Sequence, residues 1–351
     1  MKKIFVLTAL CLITLLASAY NRGDHDYNYR YEEQQTIEQT FDVEALPNLI
    51  MEGKYSDFNI TTWDRQQIDF KVKISVKSDK ESTVKQLMSI ISVELTQECN
   101  TVTAKTVFTN KMNKSFNASV SIKYYVKVPK DVLMDLKTRY GDITLDEVRE
   151  KLKVELKYGD FKADNILIDD IANNSIEVKY GNINIYNVKQ MGLWLDYGDA
   201  KINTCDYIDG TLKYSKIFIT DLNHSMLELK YSDARIEKAN KVIFVNTAYS
   251  DMKVSNCTNL LSADMKYSNL KASMTSDSPI VDINGAYSDA VLYINESATF
   301  NYNLESSYGD IKFRGFFDTK TISERGEYGN GTPGRLDIST KYGDVDIFKN
   351  K

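Results

Sequence analysis

The chain has 351 residues and a formal net charge of −5; it is 42% hydrophobic and 26% charged, with four cysteines and two histidines. That apolar content suits a folded protein with a sizeable core and excludes a disordered one. The acidic balance, with both signs interleaved, lacks the basic stripe that phosphate binding needs, so no nucleic-acid partner is expected.

In chain order, residues 1–19 read as a signal peptide: Lys2 and Lys3, an apolar run from Ile4 to Leu16, then Ala17-Ser18-Ala19 before the cleavage point. Losing the two lysines takes the formal charge to about −7. No later run approaches the ~18 apolar residues of a membrane helix, so an exported chain without a membrane anchor is expected, in the periplasm, on the cell surface or secreted. Residues 20–36 are polar and tyrosine-rich and read as a flexible lead; their Arg22-Gly23-Asp24 is taken as coincidence.

Residues 37–130 carry a different pattern. Tyr55-Ser56-Asp57 with Phe58 and Ile60 opens a first coil. Strand character follows from Ile68 to Val76. A helix is announced by Ser78-Asp79-Lys80-Glu81, read as a capping box, with Val84, Leu87, Met88 and Ile91 at helical spacing. Val93–Leu95, Thr101–Val107 and Val120–Val128 read as further strands, and Cys99 sits at a hairpin turn. A solenoid must cover its terminal face or it polymerises, so this stretch is expected to be the N-terminal cap.

From 131 to 351 one phrase organises the chain. Tyrosine followed by Gly or Ser, then usually Asp or Asn, recurs at Tyr140, Tyr158, Tyr180, Tyr197, Tyr214, Tyr231, Tyr249, Tyr267, Tyr287, Tyr308 and Tyr342, and from Tyr140 to Tyr308 the spacing is 17–22 residues. A period in that range means stacked units that cannot bury a core alone. The third and fifth residues after each tyrosine are apolar (Ile183 and Ile185, Ile217 and Ile219), as are the second and fourth before it (Leu193 and Leu195, Leu227 and Leu229). Both are period-two patterns. The buried set changes parity at the phrase, so the chain must turn there, and Gly or Ser with Asp or Asn suits such a corner. The fold class is therefore all-β, a β-helix or β-solenoid of about 11 coils of 17–22 residues, roughly 50 Å long at ~4.8 Å per coil, capped at the N-terminus by one short helix and a few strands. Serine in place of glycine at the corner, as in Gly159→Ser, is expected to be much milder than Gly159→Val. The tyrosine rings are expected to point inward because a lysine so often precedes them; the alternative, rings pointing outward, would make a rigid aromatic strip of the kind that stacks on sugars. Gly326–Gly334 reads as a glycine-rich insertion before the final coil.

With its first coil, its cap, the strand ending in Val128-Pro129, coils bearing Gly-Asp with alternating apolar residues and a glycine-rich loop before the last strand, the chain resembles a bacterial putative-adhesin family, a domain of unknown function with a β-helix-like solenoid, over roughly Thr36 to Lys351. The resemblance implies an exported, non-enzymatic surface or periplasmic binding or structural protein, and it supplies no site residues. Its partner is left as an unknown protein or glycan.

Because β-helices also host polysaccharide lyases and glycoside hydrolases, a carbohydrate-active enzyme is the alternative. Paired carboxylates such as Asp169-Asp170, or Asp196 with Asp199, are the residues it would need, and His25 and His224 the only imidazoles. Where Asp recurs at every corner, such pairs arise without chemistry. The column Asp142, Asp160, Asp199, Asp233, Asp251, Asp289, Asp310 and Asp344 also raises calcium, but turn capping is the preferred reading. No catalytic, cofactor or metal residue is therefore assigned. Cys205 and Cys257 share a column eight residues after their tyrosines but lie three coils apart, about 14 Å at ~4.8 Å per coil, too far for a disulfide; they are expected to be buried thiols.

Overall fold

The computed structural model describes residues 29–109, 117–316, 319–321 and 323–350. The proposed leader, Arg22-Gly23-Asp24 and His25 lie outside them. The chain divides between Asp164 and Asn165, within the strand Phe161–Ile166, into two compact units, so the coil opened by Tyr140 and the start of the one opened by Tyr158 group with the first coil and the cap.

Unit 1 contains β1 (Tyr31–Asp42), β2 (Asn48–Lys54), β3 (Ser56–Trp63), β4 (Gln67–Ser78), α1 (Glu81–Ile90), β5 (Ile91–Glu98), β6 (Thr101–Phe108), β7 (Ala118–Pro129), β8 (Leu133–Arg139), β9 (Ile143–Val148), β10 (Lys151–Lys157) and β11 (Phe161–Ile166). β2 and β3, joined at Tyr55, form the first coil. Each pairs in parallel on both sides: β2 with β8 and β6, β3 with β9 and β7. Beyond β6 and β7 the pairing turns antiparallel, β5 on β6, β4 on β7 and β1 on β4. A parallel stack thus ends in hairpin-like strands, which is the expected cap.

Two details differ from expectation. β1 starts at Tyr31, within the stretch read as a flexible lead, because its residues pair with β4 throughout its length. The capping box does not form either. The N-cap residue is Lys80, without a side-chain cap, and the Ser78 hydroxyl instead donates to the Asn117 carbonyl at 2.8 Å. α1 is held by packing, burying Val84 and Leu87, rather than by its terminus.

Unit 2 contains a 3-10 turn at Ile171–Asn173 and β12 (Asn174–Lys179), β13 (Ile183–Asp196), β14 (Asp199–Lys213), β15 (Lys216–Lys230), β16 (Asp233–Ala248), β17 (Asp251–Lys266), β18 (Asn269–Met274), β19 (Ile280–Ala286), β20 (Asp289–Asn295), β21 (Phe300–Ser307), β22 (Ile311–Arg314), β23 (Thr319–Thr321), β24 (Ser323–Tyr328), β25 (Gly334–Lys341) and β26 (Val345–Asn350). Strands β13 to β17 each run from one tyrosine corner to the next and pair in parallel with their neighbours. Along β14 the buried residues are Ala200, Ile202, Cys205, Ile208, Gly210 and Leu212. The alternation is two except on either side of Cys205, where it is three, and a strand that keeps one face inward through such slips must bend there.

The last coils are out of sequence order. β19 and β20 pair with β25 and β26, which in turn pair with β21 and β22. The final coil, at Tyr342, therefore lies between those at Tyr287 and Tyr308, against the expectation that successive tyrosines occupy neighbouring coils. The stretch read as an insertion explains the return path. β24 pairs antiparallel with β21, and β23 with β22, so the excursion covers the outer edge of the Tyr308 coil before the chain re-enters the stack.

Candidate binding face

The corner is built on the tyrosine itself. Every tyrosine of the phrase, from Tyr55 to Tyr342, has a positive φ, between 51° and 61°. This left-handed conformation disfavours residues with a Cβ by about 1–2 kcal/mol. Two outward residues therefore follow each other, the lysine-rich position and the tyrosine, and this shifts the parity of burial. The rings point outward, contrary to expectation: Tyr140 to Tyr287 and Tyr342 are 41–52% exposed, and Tyr308 is 79% exposed.

Neighbouring rings and backbone bonds compensate for the strain. In unit 1, Tyr140 stacks on Tyr55 and Tyr158 with centroids 5.2 and 5.0 Å apart, and the free face of Tyr55 meets the edge of Phe108. In unit 2 the stack runs Tyr180, Tyr197, Tyr214, Tyr231, Tyr249, Tyr267, Tyr287, Tyr342, Tyr308, with centroids 4.8–5.1 Å apart and planes within 16° of parallel. The tyrosine N–H donates across to the next coil, as from Tyr214 to the Lys230 carbonyl at 3.0 Å. Because each ring covers its neighbour, the column presents edges and hydroxyls rather than faces. Stacking of sugars along it is thereby excluded, except on the open face of Tyr308.

The residue after the tyrosine comes in two kinds that are not equivalent. A Cβ added to Gly159 would lie 2.1 Å from the Gly141 carbonyl oxygen, and one at Gly198 would lie 1.9 Å from that of Gly181; Gly309 and Gly343 meet the same obstacle. Glycine is required there by close approach of backbone. At serine corners the hydroxyl is buried and doubly used. Ser250 Oγ donates to the Ala248 carbonyl (2.9 Å) and accepts from the Ser232 N–H (3.1 Å). The same pattern holds at Ser215, Ser232 and Ser268.

The Asp column caps backbone, as preferred. Asp142 Oδ1 accepts from the Asp160 N–H, Asp344 Oδ1 from Asp310, and Asp289 Oδ1 from Asp344, each at 2.8 Å. Among the described residues no group of three or more His, Cys, Asp or Glu is placed to hold a metal.

Three of the four carboxylates considered for hydrolysis are also engaged. Asp169 pairs with Lys189 at 2.9 Å and Asp170 caps the 3-10 turn. Asp196 lies 3.9 Å from Lys179, while the Asp199 N–H donates to Asn182. His224 packs against Tyr207 with centroids 5.0 Å apart. Cys205 registers with Leu222, Leu222 with Ala239 and Ala239 with Cys257, three coils apart as expected. Both thiols are free and buried, and burial pushes them up to about 12 and about 11, so neither is a nucleophile.

A groove of about 770 Å³ lies in unit 2, running across six successive coils from Asp199 to Val291. Its walls are the outward columns two and four residues after each tyrosine. One carries Asp199, Asp233, Asp251 and Asp289; the other Lys201, Arg235, Lys253 and Lys271, with Phe218 and Val291 between them. Arg235 lies over the Phe218 ring, 5.8 Å from its centroid. Within the groove, Lys216 and Asp233 approach to 3.9 Å. The Asp column is visible in the sequence, where turn capping accounts for it; the lysine-rich column beside it, broken by Phe218 and Val291, does not stand out from a solvated face.

Comparison with known proteins places this architecture. Among curated proteins none matches the chain significantly. The crystal structures that align with it include a putative lipid-binding protein from Parabacteroides distasonis (11% identity, 90% of this chain and 97% of that one, TM-score 0.36), a putative adhesin from Bacteroides fragilis (12%, 90% and 97%, 0.29) and a putative adhesin from P. distasonis (12%, 71% and 94%, 0.35). The sequence profile of the Toastrack DUF4097 family matches residues 53–348, which is most of the repeat, the first coil and the cap, and the chain belongs to that family.

Proposed function

We propose that this chain is an exported, non-enzymatic, adhesin-like binding protein that holds an extended protein or glycan partner along the groove of unit 2, in the periplasm or at the cell surface. The groove carries the reading. It crosses six coils, its floor is backbone over an apolar core, and its rims are charged columns of opposite sign. Such a surface suits a long ligand lying across the strands, fixed by polar contacts at each repeat over a shared apolar strip. Asp142 and Asp170 are committed to backbone N–H groups and Asp169 to a lysine, which favours binding over hydrolysis.

The test joins cell fractionation with a screen of the purified protein against glycan and cell-surface protein panels. Binding that weakens about tenfold or more in Lys253→Glu or Arg235→Glu, as loss of a desolvated charge contact would give, supports the groove. A partner whose affinity ignores both substitutions, turnover of a bound glycan, or a protein retained in the cytoplasm would overturn the reading.

A further inference from the structure

We propose that the outward tyrosine column is a site of oxidative modification, at which one-electron oxidants join neighbouring coils through dityrosine. The proposal rests on the column alone and is independent of the groove. In unit 2 each interior ring is stacked between two others, with centroids 4.8–5.1 Å apart. In unit 1 Tyr140 is placed in the same way between Tyr55 and Tyr158. Every phenol in these stacks thus has its reaction partner already in contact, at an effective concentration no free tyrosine reaches.

Two further features suit the chemistry. From Tyr140 onward the rings of both stacks are 41–52% exposed, or 79% for Tyr308, so a soluble oxidant reaches them and water takes the phenolic proton. Their outer halves face solvent, which leaves the rings free to tip edge to edge. Of the thiols that compete for oxidant, Cys205 and Cys257 are buried and Cys99 is exposed, so Cys99 is blocked by alkylation of the native protein before the treatment. Tyrosines outside the column lack this arrangement: Tyr207 packs against His224 and Tyr293 against Phe348, while Tyr186 is 60% exposed.

The step balances with a peroxide and a peroxidase as the oxidising system. Each of two phenols loses one electron and its hydroxyl proton, giving phenoxyl radicals with spin on the ortho carbons. An ortho carbon of one ring bonds to an ortho carbon of the next. The hydrogen on each coupled carbon leaves as a proton while each oxygen regains one, restoring both aromatic rings. Overall, two tyrosines and one hydrogen peroxide give one dityrosine and two waters. Between coils that follow each other in the chain the bond closes a loop of about one coil, and a longer one at Tyr342 and at Tyr55; in each case it restricts the unfolded chain as any cross-link does.

The out-of-order final coil makes the outcome specific. The native protein is treated with peroxidase and limiting hydrogen peroxide, digested, and its cross-linked peptides are mapped by mass spectrometry. Tyr287–Tyr342 and Tyr308–Tyr342 are expected among the products and Tyr287–Tyr308 is not, although the last two are neighbours in the sequence of phrases; Tyr55–Tyr140 is expected in unit 1. Stacked pairs should exceed all other intramolecular pairs roughly tenfold, and the excess should vanish in denaturant. Tyr342→Phe keeps the ring and should abolish both links at that end, while Tyr186→Phe should leave the map unchanged. Cross-links scattered over off-column tyrosines, links only between molecules, or hydroxylated monomers without coupling would each overturn the proposal.

Discussion

The corner at Tyr158-Gly159 in unit 1 and the corner at Tyr249-Ser250 in unit 2 share a tyrosine at φ 58° and 53°, and they part at the next residue. After glycine, the following N–H reaches a side chain on the neighbouring coil, as Asp160 does to Asp142, Asp199 to Asn182 and Asp344 to Asp289. After serine, three of the following N–H groups take a backbone carbonyl instead: Lys216 that of Gly198 at 3.1 Å, and Asp233 that of Ser215 and Asn269 that of Ser250, each at 3.0 Å. Asp251 is intermediate, donating to Asp233 Oδ1 at 3.3 Å. The serine hydroxyl then fills the role that the turned peptide leaves open. A hydroxyl also serves two glycine corners, but from two residues before the tyrosine: Ser306 and Thr340 donate to the carbonyls of Gly309 and Gly343. Thr138, placed in the same way before Tyr140, donates instead to the carbonyl of Ser56, at the serine corner of the first coil. One backbone problem has two solutions, and each ties a residue type to a peptide orientation.

The sharpest way to break that account is to exchange the two kinds. In Gly159→Ser the new Cβ would meet the Gly141 carbonyl at about the 2.1 Å separation found for an ideal Cβ. The backbone must move, at a cost of about 3–4 kcal/mol. Gly159→Val should cost at least as much. Chemical denaturation of both variants measures this, and a serine variant within about 1 kcal/mol of the parent would show that the two corners interconvert freely.

Next in size is Ser250→Ala. It removes a buried hydroxyl that accepts from the Ser232 N–H and donates to the Ala248 carbonyl. Two buried backbone groups are left short of partners, for a loss of about 1–3 kcal/mol. Ser250→Gly should not rescue it, since glycine corners need the turned peptide as well as the missing Cβ. Equal stability of Ser250→Ala and the parent would remove the hydroxyl from the explanation.

The repeat, its parity change and the cap were legible because burial on a strand has a period of two and each tyrosine marks where that period slips. The thiol column was legible for the same reason, by counting residues from each tyrosine. The ring direction was not. Parity before Tyr197 points it inward and parity after it points it outward, and only the left-handed φ of the tyrosine decides the matter. A sequence does not announce that an aromatic residue, rather than the adjacent glycine, occupies that conformation. Nor does local patterning reveal the Tyr287, Tyr342, Tyr308 order, since Leu336 and Ile338 satisfy either neighbour equally. The groove was missed because turn capping accounts for the Asp column, interrupted by Lys216, and the solvated side of a strand accounts for the column beside it, interrupted by Phe218 and Val291, so nothing in the pattern joins the two.

The tyrosine common to both corners separates ring from hydroxyl. Tyr231 stacks on Tyr214 and Tyr249 at 5.1 and 4.8 Å. Tyr231→Ala keeps the left-handed strain and loses both contacts, so it should cost about 1–2 kcal/mol. Tyr231→Phe keeps the ring and should stay within about 0.5 kcal/mol. If phenylalanine proves as damaging as alanine, the hydroxyl row rather than the stack holds the column.

The smallest effect tests the carboxylate at a glycine corner, where capping and cation binding predict different orders. Asp142 Oδ1 accepts the Asp160 N–H at 2.8 Å, and its own N–H donates to Asp57. Asn182 already does the first of these jobs without a charge, accepting from the Asp199 N–H at 3.1 Å. If the column exists to cap backbone, Asp142→Asn keeps the acceptor and should change stability by less than about 0.5 kcal/mol, while Asp142→Ala should lose about 0.5–1.5 kcal/mol by stranding the Asp160 N–H. Neither value should depend on added calcium. A hard divalent ion bound by the column would reverse this, because an amide is a far poorer ligand than a carboxylate. Asparagine would then fall close to alanine in the presence of calcium, and the parent alone would gain stability on titration. Urea melts of the three proteins, with calcium and with chelator, distinguish the two orders.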